Sequence, residues 1–229
     1  MRRSLAITAV QSMGRILGII GIVLSATLLA IPAAGRAQQI EVPAIPDPVP
    51  VTLTASSTAL IVSDLTPQNC NALPSCVAAL APVASLLARA RQAGVLVAYT
   101  TAAGLASSGF EPEVAPLPSE PVFVRPGPAQ GTWWGNDLDA LLAANGIDTV
   151  ILVGSQAAGI VLDGAFWASY VDGYTVVAPV DGMPSPSDFR LIYTEFQALN
   201  QPGGKQNPTN NPLEPGATTL SRTDLISFR

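Results

Sequence analysis

Apolar residues along the chain recur in two patterns, short runs rich in β-branched residues and longer segments with helical spacing. The short runs are bounded by Gly, Asp or Pro, which is typical of strands buried on both faces. They predict strands at residues 58–63, 95–100, 122–124, 149–153, 174–178 and 217–220. The longer segments predict helices at residues 81–93, from 137 to a stop at 146, 160–171 and 189–199, with a terminal helical turn at 223–227.

Strands and helices therefore alternate along most of the chain, which indicates a parallel sheet covered by helices on both faces. We predict a three-layer α/β/α fold with a mostly parallel sheet. Residues 147–183 show the unit most clearly: a strand, a turn of small residues at 154–159, a helix and a second strand. Because sites in such folds lie where strand ends meet helix starts, we expect the chemistry at this turn.

The N-terminus has the composition of an export signal. Arginines at positions 2, 3 and 15 precede an apolar run at 16–31, and Gly35 and Ala37 form a small-x-small site. The pattern predicts a signal peptide at residues 1–37, cleaved after Ala37, and a periplasmic or secreted protein. The alternative is an uncleaved anchor, although the run is short for a membrane span.

Two other segments differ in composition from the regular elements. Residues 38–56 contain several prolines and predict an extended arm or linker, not a packed element. The globular domain is then expected at residues 57–229. Within it, residues 201–216 are polar and rich in Pro and Asn, which predicts a mobile insertion.

Charge and composition exclude several function classes. The chain has a net charge of −5, and loss of residues 1–37 would leave 7 basic and 16 acidic residues, a net charge of −9. No basic patch is visible, so nucleic-acid binding is not expected. The sequence contains no His and two Cys, so a zinc site would need unusual ligands. We expect no metal site and no cofactor, and the alternative left open is a cation held by oxygen ligands. After signal cleavage no membrane contact is expected.

The two cysteines, Cys70 and Cys76, lie close together in the segment CNALPSC. In an exported protein this spacing favours a disulfide. The alternative is that one of them is a displaced nucleophile, but no His is present to act as its base. We therefore predict a disulfide between them.

Four segments in order resemble the isochorismatase-like (cysteine hydrolase) superfamily, over roughly residues 58–229. They are ALIVSDLTPQN, LLARARQAGVLVAYT, VFVRPGPAQGTWWGNDLDALL and GSQAAGIV. In that family an Asp ends the first strand, a Lys ends a later strand, and a nucleophilic Cys begins the helix after the small-residue turn. A non-proline cis peptide precedes the nucleophile and would map near Ser155–Gln156.

The resemblance implies catalytic positions at Asp64 and Arg125, with Ile160 at the position of the family Cys. Asp64 would be the acid or base, and Arg125 would keep the positive charge of the Lys without its ability to transfer a proton. Ile160 cannot attack a carbonyl. By the same resemblance, Trp133 replaces a Phe and is expected with Gln156 to contact a ligand.

Three hypotheses for the function follow. The first is an exported family member that has lost cysteine-hydrolase activity and binds a small molecule or a partner. The second is an active hydrolase that uses Asp64 and Arg125 on a small anionic substrate, without a thioester. The third is a structural or interaction protein whose proline-rich arm and polar insertion mediate assembly. The partner in such an assembly could be a second copy of the chain, which would make a homo-oligomer. Aromatic residues at 133, 134, 166, 167 and 170 suit either a pocket or an interface.

Overall fold

The computed structural model describes residues 43–127 and 129–229, and the predicted signal peptide lies outside them. The strands are β1 Val51–Leu53, β2 Thr58–Ser63, β3 Leu96–Ala102, β4 Val122–Arg125, β5 Thr149–Gly154, β6 Thr175–Pro179, β7 Thr218–Ser221 and β8 Ile226–Phe228. The helices are α1 Pro67–Cys70, α2 Pro74–Ala93, α3 Ala103–Ala106, α4 Leu138–Ala144, α5 Leu162–Phe166 and α6 Asp188–Leu199. Turns of 3-10 helix lie at Ala55–Ser57, Pro112–Val114, Val180–Gly182 and Thr223–Leu225. Within these ranges, no helix combines the length and apolar character that crossing a membrane requires.

The main sheet has the order β4-β3-β2-β5-β6-β7, and its neighbouring strands run parallel. The chain builds outward from β2 to β4 and then returns to place β5 on the other side of β2. The order therefore reverses between β2 and β5, which is where parallel α/β sheets form their sites. The mostly parallel sheet predicted from the sequence is confirmed.

The sheet separates two apolar layers because successive strand residues point to opposite faces. Leu60 and Val62 of β2 pack with residues of α2, whereas Ala59 and Ile61 pack with residues of α4, the helical segment around α5, and α6. Both faces of the sheet are thus covered, as the continuous apolar runs predicted. The three-layer α/β/α architecture is confirmed.

Helix α2 begins earlier than the sequence pattern predicts. The expected start lay at residue 81, with Pro82 in the first turn, but the helix begins at Pro74 and Pro82 lies inside it. Pro74 occupies the first turn instead, where the missing N–H costs no hydrogen bond. Gly94 ends the helix in the left-handed conformation with a φ of 76°, as expected for a C-terminal glycine.

The second half of the proline-rich arm is packed, so the prediction of an unpacked linker is wrong for residues 49–56. Strand β1 pairs parallel with β8, and Val51 and Leu53 are buried. The predicted terminal helical turn at 223–227 is correspondingly wrong beyond residue 225, because Ile226 starts the strand that pairs with β1. The pairing of two chain-distant segments explains why local patterns missed both.

The polar segment at 201–216 is also tied to the core, although its mobility stays a prediction. Asn207 and Asn210 are buried. The Asn207 side chain donates to the Thr218 carbonyl at 2.9 Å. Asn210 donates to the carbonyls of Asp47 and Leu220 and accepts from the Leu220 N–H. Two of the polar side chains in this segment thus satisfy backbone groups, while most of its other residues are exposed.

Candidate active site

The ends of β2 and β4 bring Asp64 and Arg125 together across β3. Asp64 directly follows β2, and Arg125 is the last residue of β4, in register with Ala102 of β3. The Ala102 N–H donates to Asp64 Oδ1 at 3.1 Å, and Arg125 Nη2 donates to Asp64 Oδ2 at 2.5 Å. The two residues expected to share a site therefore form a direct ion pair.

The backbone around Asp64 helps to fix its carboxylate. Asp64 has a φ of 54°, a left-handed conformation that Asp tolerates better than most residues. Its carbonyl accepts from the Thr66 N–H at 2.9 Å and from the Asn69 side chain at 2.9 Å. The turn after β2 is thus held by hydrogen bonds that aim the Asp64 side chain toward β3 and β4.

The pair is deeply buried, and burial dominates its electrostatics. Asp64 is 6% exposed and Arg125 is fully buried. Burial raises the pKa of the Asp64 carboxyl, while the charge of Arg125 and the Ala102 hydrogen bond act in the opposite direction. Burial likewise lowers the pKa of the Arg125 guanidinium, opposed by the charges of Asp64 and Asp163. The pair is therefore held by mutual attraction against a large desolvation cost.

The turn after β5 is the second part of the candidate site, besides the ends of β2 and β4. Gly154 passes so close to β2 that a Cβ there would lie 2.3 Å from the Ser63 carbonyl oxygen. The Ser155–Gln156 peptide is cis, at the position that the family resemblance indicated. A helical segment then runs from Ala157 to Val171, with π-helical turns at Ala157–Val161 and Trp167–Val171 around α5 and a kink at Ala158 and Gly159.

Ile160 lies in the first turn of this segment, where the sequence placed it, and is 9% exposed. Its carbonyl accepts from the Thr132 hydroxyl at 3.3 Å, which ties the segment to the loop after β4. The Ile160 side chain belongs to the core on this face of the sheet and also reaches the wall of a cavity.

That cavity has a volume of about 400 Å³, within the range of small-molecule sites. Its polar lining includes Gln130, Asp163, Tyr193, Gln197 and Gln201. Neither Asp64 nor Arg125 belongs to the lining. The cavity is therefore lined in part by the turn after β5, and the ion pair lies outside its lining.

A second cavity of about 340 Å³ adjoins the first and shares Ala129, Gln130, Gly131, Asp163 and Phe166 with it. Trp134 and Trp167 complete its apolar wall. These residues were not assigned to a site from the sequence, apart from the general expectation for aromatic residues. The useful signal would have been the helical spacing of Ile160, Asp163 and Phe166, since residues three apart share a helix face.

The two residues expected to contact a ligand lie elsewhere. Trp133 is 5% exposed and packs in the core, close to Gly164, so its expected ligand contact is corrected to a packing role. Its neighbour Trp134 is the exposed tryptophan at the cavity. Gln156 is exposed at the start of the helical segment, where its carbonyl accepts from the Gly159 N–H at 3.1 Å, and it is absent from the lining of either cavity.

Cys70 and Cys76 form a disulfide with a Cα–Cα distance of 4.8 Å, which confirms the predicted pairing. Both are buried in the layer that contains α2, on the opposite face of the sheet from Ile160. Since the chain contains two cysteines, the disulfide leaves no free thiol. Among the described residues, no group of three His, Cys, Asp or Glu side chains is arranged to hold a metal ion.

The parallel sheet, the helices on both of its faces and the reversal of strand order between β2 and β5 place the chain in the α/β class of folds. The isochorismatase domain model matches residues 58–207. The chain therefore belongs to the isochorismatase family, and the resemblance of its sequence motifs is confirmed.

Solved structures of this family share the fold. N-carbamoylsarcosine amidase from Thermoplasma acidophilum is 22% identical, with a TM-score of 0.59 over 73% of this chain and 97% of its own. An isochorismatase family protein from Burkholderia thailandensis is 21% identical, with a TM-score of 0.60 over 80% and 97%. A cysteine hydrolase from Pseudomonas syringae is 17% identical, with a TM-score of 0.62 over 81% and 95%. No curated protein sequence matches the chain.

Proposed function

We propose that this chain is an exported, non-hydrolytic member of the isochorismatase family that binds a small molecule. The observation that carries this proposal is the separation of the Asp64–Arg125 pair from the cavity. Both side chains are buried against each other, while the cavity at Ile160 is lined by other residues. The separation supports a binding role for the cavity that does not depend on the charged pair.

The chemistry of the residues supports the loss of thioester catalysis. A covalent acyl intermediate needs a thiolate next to a base, and Ile160 supplies no nucleophile at the helix start. Both cysteines are joined in a disulfide on the other face of the sheet. Asp64 could in principle accept a proton, but both of its carboxylate oxygens accept hydrogen bonds from the protein.

The second candidate is a hydrolase that uses Asp64 without a covalent intermediate. The direct contact of Asp64 with Arg125 favours it, because both groups do converge. However, a general acid must come within hydrogen-bond reach of its substrate. Asp64 is buried against Arg125, which is itself fully buried, and neither residue lines the cavity. A small anionic substrate in the cavity would meet Asp163 in the lining, with no Lys or Arg among the lining residues. The binding role is therefore ranked first.

Export is part of the proposal because two independent features agree with it. The N-terminal residues have the order of a signal peptide. The Cys70–Cys76 disulfide suits an oxidising compartment, where such bonds persist. Association into a homo-oligomer stays a prediction that size measurements on the purified protein would test.

A hydrolysis screen over amides and vinyl ethers tests the proposed loss of activity. We expect the purified protein to give rates indistinguishable from those of buffer, and the Asp64→Ala variant to behave in the same way. Hydrolysis by the wild-type protein that the Asp64→Ala variant lacks, while that variant remains folded by circular dichroism, would contradict the proposal and support the second candidate.

A further inference from the structure

The charged groups around the cavities favour a cationic ligand. Asp163 is the charged residue in the lining of both cavities. Arg125 lies near enough for its charge to act on Asp163, but its guanidinium is paired with Asp64 at 2.5 Å. Two carboxylates and one guanidinium leave this region with a net charge of −1 when all three are ionised. A bound cation would balance that charge, whereas a bound anion would double the excess.

The main chain of the loop after β4 holds the Asp163 carboxylate in place. A Cβ on Gly131 would lie 1.8 Å from Asp163 Oδ2, so the carboxylate occupies space that any larger residue would fill. Burial raises the pKa of the Asp163 carboxyl, while the nearby Thr132 backbone and the charge of Arg125 act in the opposite direction. Asp163 itself is exposed. Its charged group is thus both positioned by the loop and open to a ligand.

Aromatic residues line the same cavities as this carboxylate. Phe166 belongs to both cavities, Tyr193 to the larger, and Trp134 and Trp167 to the smaller. The Phe166 and Trp167 rings are stacked with centroids 6.2 Å apart and an interplanar angle of 23°. The faces of aromatic rings attract cations through their quadrupoles, and alkylated ammonium groups are bound in this way.

We propose that the joined cavities bind an organic cation with an alkylated ammonium group. Asp163 is the counter-ion, the rings of Phe166, Trp134 and Trp167 surround the alkyl groups, and the side-chain amides of Gln130 and Gln197 can hydrogen-bond a polar tail. The inference rests on the proposed non-hydrolytic binding function and adds the chemical class of its ligand.

Calorimetric titration with choline and with its neutral isostere, dimethylbutanol, tests the inference on the purified protein. We expect saturable choline binding and at least about tenfold weaker binding of the isostere, because the shapes match and the charge differs. Asp163→Asn should weaken choline binding by about tenfold and leave the isostere unaffected. Asp148→Asn is the matched control, since Asp148 is an exposed carboxylate at the opposite end of β5, and it should bind choline like the wild type.

Gly131→Ala is a second variant, which keeps the negative charge of Asp163 but moves the carboxylate from its position. The added methyl group would force the Asp163 side chain to rotate, which an exposed side chain can do with little loss of stability. We expect an unchanged Tm and choline binding weakened several-fold. Equal affinity for choline and the isostere, no binding of choline, or full choline affinity in Asp163→Asn would each overturn the inference.

The two proposals fail in distinguishable ways. Hydrolysis in the screen described above would reject the non-hydrolytic function whatever the titration shows. If the protein hydrolyses nothing and binds the neutral isostere or acetate but not choline, the proposed cationic ligand is rejected. The proposed non-hydrolytic binding function then still stands.

Discussion

Arg125 is fully buried although its guanidinium carries donors on three nitrogen atoms. Nη2 donates to Asp64, but Nε and Nη1 have no acceptor among the residues that the structure describes. Unsatisfied buried donors are costly, so the pair with Asp64 is the interaction that makes this burial tolerable. At the residue scale, Asp64 is therefore best understood as the counter-ion of Arg125.

Asn210 shows how one side chain can attach a loop to the core. It has a φ of 53°, is 1% exposed, and makes three hydrogen bonds that join the Asp47 carbonyl to both backbone groups of Leu220. We predict that Asn210→Ala loses about 3 kcal/mol of unfolding free energy, because buried backbone groups lose their partners. Chemical denaturation measures this loss.

Asn211→Ala is the matched control for that prediction. Asn211 is the exposed neighbour, and its hydrogen bonds to Asn207 and Thr219 use its backbone groups. Its replacement should change the unfolding free energy by less than about 0.5 kcal/mol. Equal stability losses in the two variants would show that the Asn210 hydrogen bonds contribute nothing of their own.

At the scale of elements, the segment after β5 combines what sequence patterns reach and what they miss. The small-residue turn, the helix that follows and the cis peptide position were predictable from residue type and family resemblance. The kink at Ala158 and Gly159 and the π-helical turns were not, because residue spacing does not encode them. The segment is also tied to the loop after β4 by the hydrogen bond from Thr132 to the Ile160 carbonyl. That same loop determines where Asp163 lies, so the cavity could not be foreseen from spacing alone.

The end of this helical segment carries an unfavourable charge. Asp172 is its C-cap, where the helix dipole disfavours a carboxylate. Asp172 is an exposed residue, but partial burial of its carboxyl and the nearby charge of Asp139 raise its pKa to about 6. Its contribution to stability is fully present below its ordinary value of 3.8 and is lost as the pH rises through about 6.

We predict that Asp172→Asn stabilises the protein near neutral pH by a few tenths of a kcal/mol, since Asp172 is exposed and solvent screens its charge. The gain should shrink toward zero as the pH falls to about 4, where the folded-state carboxyl is already neutral. Thermal unfolding of both proteins across this range measures the difference. A gain in Tm that does not vary with pH would contradict the assignment.

At the scale of the whole molecule, the layers were predictable from local sequence. A continuous apolar run indicates a strand buried on both faces, and apolar residues at helical spacing indicate the buried face of a helix. The strand order and the β1–β8 pairing were not, since they join segments far apart in the chain. The same limit applies to the site. Sequence resemblance indicated that Asp64 and Arg125 lie together, but only the packing shows that they pair with each other and do not line the cavity.

A double-variant cycle tests most directly whether Asp64 and Arg125 form a structural pair. Asp64→Asn keeps a residue that tolerates the left-handed backbone and leaves Arg125 as a buried, unpaired charge. Arg125→Met removes the guanidinium and leaves the Asp64 carboxyl, whose pKa burial already raises. The double variant contains neither charge. Urea denaturation of the four proteins gives the coupling free energy between the two positions.

We predict that Asp64→Asn alone loses about 3–5 kcal/mol of unfolding free energy and that the double variant regains most of it. All four proteins should lack hydrolytic activity toward amides and vinyl ethers. An Asp64→Asn variant as stable as the wild type, together with wild-type hydrolysis that this variant lacks, would contradict the structural role and show Asp64 to be a catalytic residue.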